Sequence, residues 1–258
     1  MNKKLGLLVV LLLFALVLAA CGGGETVTET VEVEVTRIVE VEVPAEGGAA
    51  EEITFEGGGD TLGEVQGRGT LNCAANGTLP GFGFIDEDGN WSGFDWDFCR
   101  AVAAAVLGDS EAVEGRAVTA TERFPVLQSG EADVLIRNTT WTTTRDTALG
   151  FDFVPINFYD GQGIMVREDS GITTLEDMEG GTVCVQAGTT TERNLADVFR
   201  GLGITAESVV FPDNPSTSAA YDDGRCDGLT TDKSGLVSVR TQMTNPDEHI
   251  ILDATMSK

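Results

Sequence analysis

The sequence predicts an α/β protein made of two similar lobes with a cleft between them. Beyond about Gln66, short apolar runs alternate with amphipathic segments, as they do when strands and helices are layered in turn. After a bridging stretch around Phe153 to Tyr159 the alternation starts again, so one architecture is used twice. The four cysteines that follow residue 21 divide the same way: Cys73 and Cys99 fall in the first half, Cys184 and Cys226 in the second.

Two elements precede the lobes. Lys3 and Lys4 lead into a sixteen-residue apolar run, Leu5 to Ala20, and small residues then lead into Cys21. That is the form of a secretory signal over 1–20. The run is short of the roughly 20 residues a permanent membrane span needs, and Gly22-Gly23-Gly24 stand where a stop-transfer charge cluster would be. Leu18-Ala19-Ala20-Cys21 resembles a bacterial lipobox, which implies cleavage before Cys21 and lipidation of its thiol. Two or more acyl chains hold a protein stably at a membrane, where a single chain is marginal. From Glu25 to Val43, Val alternates with Glu or Thr. Period two is a strand pattern, yet no turn folds it back, and residues 21–69 carry twelve acidic against two basic side chains. An extended, self-repelling tether over 21–66 is expected, with an intermolecular β ribbon as the rival reading. As a flexible chain it would reach on the order of 40 Å.

The first lobe is placed at 67–157. Leu71 to Ala75 reads as a strand, and Asp95 to Leu107 as a helix with Phe98, Val102 and Val106 on one face, stopped by Gly108. Thr121 to Gln128 reads as a second helix capped by Thr121, and Val134 to Ile136 as a buried strand. The second lobe is placed at 158–258. There Thr182 to Gln186 is a strand, and Thr189 with Glu192 forms a capping box. The helix that follows buries Leu195, Val198, Phe199 and Leu202. Val209 to Phe211, a helix near Ser216 to Asp223 and the strand Gly228 to Thr231 complete it. Disulfides 73–99 and 184–226 are expected, each stabilising its own lobe by roughly 2–4 kcal/mol without locking the lobes together.

Composition excludes several functions. The chain has 42 acidic against 16 basic residues, a formal charge of -26, which argues against nucleic acid as a partner. No CxxC or HExxH occurs, and a single histidine leaves no material for a zinc site or a His-based triad. No cofactor is expected. His249, beside Pro246-Asp247-Glu248, reads as a surface turn residue. No P-loop is present, and Gly201-Leu202-Gly203 follows a helix, so it reads as a C-cap instead of a dinucleotide turn.

Several ordered stretches resemble one family. They are Asn90-Trp91-Ser92-Gly93-Phe94-Asp95, Glu122-Arg123-Phe124 with Leu127 to Asp133, Thr174 to Met178, Gly188 to Glu192, and Gly224-Arg225-Cys226-Asp227. Together they are similar to the polar-amino-acid solute-binding receptors of ABC importers. Arg137-Asn138-Thr139-Thr140-Trp141-Thr142 with Arg145-Asp146, and the four later cysteines, point within that family to the general L-amino-acid-binding subgroup. The resemblance runs from about Gln66 to Lys258 and implies the type II periplasmic-binding-protein fold.

It also implies a site. A free amino acid is a zwitterion, so its receptor needs a cation for the carboxylate and an anion for the ammonium. Arg145 suits the first task, since a guanidinium fork binds a carboxylate through two parallel hydrogen bonds. Asn138 and Thr140 match positions that contact the same carboxylate, Thr190 matches a residue of the second lobe that closes over it, and Asp232 matches the acid that accepts the ammonium. The helix start near Glu192 adds a favourable dipole. Many relatives place an aromatic ring over the ligand side chain from the first strand-to-helix loop. Here that loop is Leu79-Pro80-Gly81, so Leu79 stands at the ligand without an aromatic clamp. Arg137 either reaches the ligand side chain, favouring Glu, Asp, Gln or Asn, or points to solvent. Family members continue past the segment matching Ile250 to Lys258, crossing back to the first lobe, and the sequence stops before that return. Exposed apolar surface on the first lobe is the expected consequence.

The implied function is capture of a free L-amino acid by lobe closure and delivery to ABC permease subunits, from a lipid anchor on the outer face of the cell membrane. Two other classes share the scaffold: an enzyme of dehydratase type, which would need a cleft acid or base for which the sequence offers no partner, and a ligand-sensing module.

Overall fold

A computed structural model describes residues 60–257. The signal segment, Cys21 and nearly all of the 21–66 tether lie outside the described residues. The last residues assigned to the tether are ordered: Thr61–Arg68 form helix α1, whose Val65 is buried against Leu71 and Ala103. Leu62 and Val65 are the only large apolar residues in its eight positions, too few to announce this helix in sequence.

The first lobe has a parallel three-stranded sheet in the order β5 (Val113–Ala117), β1 (Leu71–Ala75), β6 (Val134–Leu135). β1 lies in the centre with four of its five residues buried, as an apolar run in a parallel sheet should. Between β1 and helix α2 (Phe94–Leu107), an antiparallel ribbon of β2 (Thr78–Leu79), β3 (Gly83–Ile85) and β4 (Trp91–Ser92) folds out. Its turn is fixed by Asp86, whose Oδ1 accepts from the Asp88 and Asn90 amides at 3.0 and 2.7 Å. Gly93 leads into α2 with φ 105°, and a side chain there would fall on the Phe82 carbonyl oxygen.

The face of α2 differs from the predicted one. Asp95, Cys99 and Ala103 are its fully buried residues, with Val102 and Val106 packed beside them, whereas Phe98 is exposed. The disulfide explains the rotation: Cys99 is joined to Cys73 at the middle of β1, which turns the Cys99 stripe inward. Helix α3 (Arg123–Gln128) is also capped differently. Thr119, not Thr121, receives the Glu122 amide at 3.3 Å, and the Glu122 carboxylate accepts from the Thr119 amide at 2.9 Å, a reciprocal box two residues upstream.

The second lobe is a five-stranded mixed sheet in the order β11 (His249–Ile251), β7 (Gln162–Arg167), β10 (Gly228–Asp232), β8 (Thr182–Gln186), β9 (Glu207–Phe211). β10, β8 and β9 run parallel, and β7 is antiparallel to both β10 and β11. Helices α4 (Thr190–Leu202), α5 (Asn214–Asp222) and α6 (Lys233–Arg240) cover it. In α4 the cap is the expected one: Thr189 Oγ1 accepts from the Glu192 amide at 3.1 Å. Leu195 and Phe199 are buried, but Leu202 is exposed, because the chain turns at Gly203 and sends Ile204 into the core in its place. Cys184 and Cys226 are joined, so each lobe has one disulfide and none crosses between them.

His249 is not a surface turn residue. It is buried in β11, its Nδ1 lies 3.0 Å from the Tyr221 hydroxyl, and its Nε2 lies 3.7 Å from Asp222. Pairing of β11 with β7 carries it inward over Tyr221. The bridging stretch stays outside the sheets and exposes Val154, Ile156 and Tyr159, while Phe158 is partly tied down against Phe82 and Phe94.

A polar pocket between the lobes

The carboxyl ends of β6, β8 and β10 converge on one pocket, the position that open α/β sheets generally offer to ligands. From the first lobe come Arg123 at the start of α3, then Arg137, Asn138 and Thr140 after β6. The second lobe adds Gln186 at the end of β8, Thr189 to Thr191 at the start of α4, and Thr231 with Asp232 at the end of β10. The lobes touch here: the Thr140 and Thr190 hydroxyls are 3.1 Å apart, and Arg123 donates to the Gly188 carbonyl at 3.4 Å. A Cβ at Gly188, where φ is 72°, would stand 2.9 Å from Thr121, so glycine permits this approach.

Of the six residues predicted to hold ligand, Asn138, Thr140, Thr190 and Asp232 line the pocket together. Arg145 sits directly behind it, 3 % exposed in the π-helical turn Thr144–Ala148, and donates to the Thr140 carbonyl at 2.7 Å. Its guanidinium stacks on Phe124, 5.1 Å from the ring centroid. Leu79 is not brought to the pocket. It is buried in an apolar cluster with Leu236 and Val239 of α6, on the other side of the lobe junction, where Ser238 donates to the Pro80 carbonyl at 2.6 Å. The ribbon that the sequence did not announce carries Leu79 away, because β2 ends there and turns back at Pro80-Gly81.

The pocket is cationic within an acidic protein. Among the described residues, Arg123, Arg137 and Arg145 have no carboxylate within ion-pairing distance. Arg137 is not solvent-facing: it is buried, donates to the Val118 carbonyl at 2.8 Å and grips Asn138 Oδ1 with Nε and Nη2. Burial, then the fields of Arg137 and Arg145, push the Arg123 guanidinium down to about 8, with only Asp232 among the leading influences opposing. A guanidinium keeps its proton at neutral pH, so the crowding is a standing demand for a bound anion. Burial and the negative charge of Asp160 push the Asp232 carboxyl up to about 6, against the three arginines. Asp160 is itself held by the amide and hydroxyl of Ser234. Asp95 is buried, has one carboxylate oxygen without a hydrogen-bond partner, and is pushed up to about 6 by burial while Arg137 pulls it back.

The sequence reading missed Arg123. The available signal was its spacing: it shares a helix face with Val126, three residues on, so it had to point inward. A larger cavity of about 400 Å³, open to solvent, lies between the β2–β3 ribbon and helices α5 and α6. Its lining is mostly apolar, and its one carboxylate, Asp222, already accepts from Thr244. The smaller polar pocket is therefore the candidate site. No group of three His, Cys, Asp or Glu that could hold a metal occurs among the described residues.

Residues 71–249 match the family of bacterial extracellular solute-binding proteins, family 3. The chain belongs to this family. Over 198 residues it is 54% identical to the general L-amino acid-binding periplasmic protein AapJ of Rhizobium johnstonii, covering 77% of this chain and 58% of AapJ. It is 46% identical to the glutamate/glutamine/aspartate/asparagine-binding protein BztA of Rhodobacter capsulatus, covering 77% of this chain and 59% of BztA. A solved periplasmic binding protein from Brucella ovis with glutathione bound superposes with a TM-score of 0.75 at 51% identity, covering 78% of this chain and 63% of that one. The chain thus spans less than two thirds of the length of these relatives. As a family 3 solute-binding protein it has the type II periplasmic-binding-protein fold of two α/β lobes, and the family is one of extracytoplasmic binding proteins, not enzymes.

Proposed function

We propose that this solute-binding protein is the lipid-anchored receptor of an amino-acid ABC importer. It binds a free L-amino acid as a zwitterion between its lobes and presents it to the permease subunits. The observation that carries the reading is the juxtaposition of unpaired guanidiniums with Asp232 in one interlobe pocket, which offers opposite charges to the two ends of an α-amino acid. Arg145 and the amide-rich start of α4 serve the carboxylate, with Thr140 and Thr190 as hydroxyl donors; Asp232 serves the ammonium. Each lobe supplies only part of this set, so the ligand favours the closed arrangement. The amino-acid specificities in the names of AapJ and BztA agree with this chemistry.

Calorimetry with a panel of free L-amino acids tests the reading. Binding with unchanged ligand recovered supports it, and turnover of the ligand rejects it. Arg145→Ala removes charge-assisted hydrogen bonds of about 1.5–3 kcal/mol, a ~10- to 150-fold loss of affinity. Affinity that survives the substitution means the carboxylate is held elsewhere. For the anchor, labelled palmitate should enter the wild-type chain in cells and be absent from Cys21→Ser, which should be released from membranes.

A further inference from the structure

The charges of the pocket do not balance for a neutral amino acid. The groups buried in and behind it are three guanidiniums, Arg123, Arg137 and Arg145, and two carboxylates, Asp95 and Asp232. The half-buried Asp160 and the exposed Arg193 act on the same groups, which makes four cations against three anions. One unit of positive charge remains, and a zwitterion leaves that unit uncompensated. Two of the guanidiniums have assigned work: Arg145 supports Thr140, and Arg137 grips Asn138 and the Val118 carbonyl. Arg123 does not. It is 3 % exposed, and its contacts to Thr139 Oγ1 and the Gly188 carbonyl are 3.3 and 3.4 Å, at or beyond the long end of the useful range. Its Nε is buried without any partner. An orphaned buried guanidinium nitrogen is costly unless a ligand satisfies it.

Resting on the amino-acid reading above, we infer that Arg123 is a specificity-determining residue that receives a second, side-chain carboxylate, so the pocket selects acidic amino acids over their amides. Nε and the adjacent Nη form the side-on fork that a carboxylate meets with two parallel hydrogen bonds. A ligand of net charge −1 then cancels the surplus of the site. An amide supplies one acceptor oxygen and no charge, and its NH2 faces the fork as a second donor, so glutamine and asparagine bind more weakly. Leucine leaves the fork unpartnered.

Titration calorimetry of the full chain with L-glutamate, L-aspartate, L-glutamine and L-leucine at pH 7.5 tests this, with Arg123→Gln and Arg123→Lys measured beside the wild type. The wild type should hold glutamate at least about tenfold more tightly than glutamine. In Arg123→Gln that ratio should collapse toward one. Arg123→Lys, which keeps the charge and loses the fork, should fall between. Thermal melting establishes that each variant is folded, and an unfolded Arg123→Gln leaves the decision to Arg123→Lys and the wild-type panel. Equal affinity for glutamate and glutamine in the wild type overturns the inference and leaves the amino-acid reading standing. So does an Arg123→Gln variant that weakens all four ligands by the same factor, which would assign Arg123 to the α-carboxylate or to the fold. Binding of none of the four defeats both.

Discussion

Asp232 makes the proposed mechanism measurable through pH. Burial and Asp160 push its carboxyl up to about 6, and only the ionised form accepts an ammonium as a charge-assisted hydrogen bond. Above pH 7 the carboxylate is fully available. At pH 5 about one carboxyl in ten is ionised, and the apparent affinity should have fallen by about tenfold, each pH unit below 6 corresponding to about 1.4 kcal/mol. The ligand keeps its α-carboxylate and its ammonium across this window, and the side-chain carboxylate of an acidic ligand stays largely ionised down to about pH 5, so above that pH the slope reports the protein. Asp95, pushed up to about 6 as well, titrates in the same range. Its protonation makes the pocket more cationic and acts with the opposite sign on an anionic ligand. The experiment is therefore done in an Asp95→Asn background, by calorimetry from pH 8 to 5. A logarithmic plot that is flat above pH 7 and falls with unit slope below 6 is expected, and Asp232→Asn should be weaker at pH 7.5 and flat throughout. Pronounced acid weakening that persists in the double variant would falsify the role given to Asp232.

The same shift has the opposite consequence for the unliganded fold. A carboxyl whose folded value lies above its unfolded value contributes stability when protonated, and that contribution is lost as pH rises through about 6. Acid should therefore weaken ligand binding while relieving the strain of the empty pocket.

His249 shifts the other way: burial lowers its basicity against the pull of Asp222, so the unfolded chain takes up the proton first and the fold loses stability as pH falls below about 6.5. Tyr221→Phe should cost about 1 kcal/mol at pH 7 by leaving His249 Nδ1 without its partner, read as a lower urea midpoint. Replacing Cys73 and Cys99 by Ser, or Cys184 and Cys226, should lower stability by roughly 2–4 kcal/mol each way, and the lobe affected should show the greater loss of amide protection in hydrogen exchange. The exposed Val154, Ile156 and Tyr159 form an apolar strip on the bridging stretch, and concentration-dependent association by light scattering, suppressed in Val154→Asp with Tyr159→Asp, is the expected result.

The parallel strands and the capped helix α4 were legible because their signals are local. Leu71 to Ala75 and Thr182 to Gln186 are short runs with apolar centres, and the Thr189–Glu192 cap is a contact three residues long. What escaped was set at a distance. β7 is buried on both faces yet begins Gln-Gly and ends in Arg, because Gln162 bonds Thr230 and the Thr191 carbonyl, while Arg167 bonds the Tyr221 and Cys226 carbonyls. Polar residues satisfied this way look like loop in sequence. The direction of Phe98 was decided by the Cys73–Cys99 bond, and that of His249 by an edge pairing eighty-two residues back along the chain. The same limit applied at the pocket: Arg123 stands in the Glu122-Arg123-Phe124 stretch and its spacing turns it inward, but its role at the pocket depends on the opposite lobe coming within reach.

That approach of the lobes rests on few contacts. Among the described residues, three side-chain hydrogen bonds cross the junction: Thr140 to Thr190, Arg123 to Gly188, and Ser238 to Pro80. Net contributions of about 1 kcal/mol each are modest beside what an amino acid brings when its carboxylate and ammonium are both matched. Leu79 alters the balance. Buried against Leu236 and Val239, it holds an apolar contact between the ribbon and α6 that owes nothing to ligand charge. Burying a leucine side chain contributes roughly 1.5–3 kcal/mol, as much as the two pocket-side hydrogen bonds together. The residue expected to touch the ligand thus lies instead at an apolar contact between the lobes. Leu79→Ala should weaken every amino acid by one common factor, whereas Arg123→Gln changes their order.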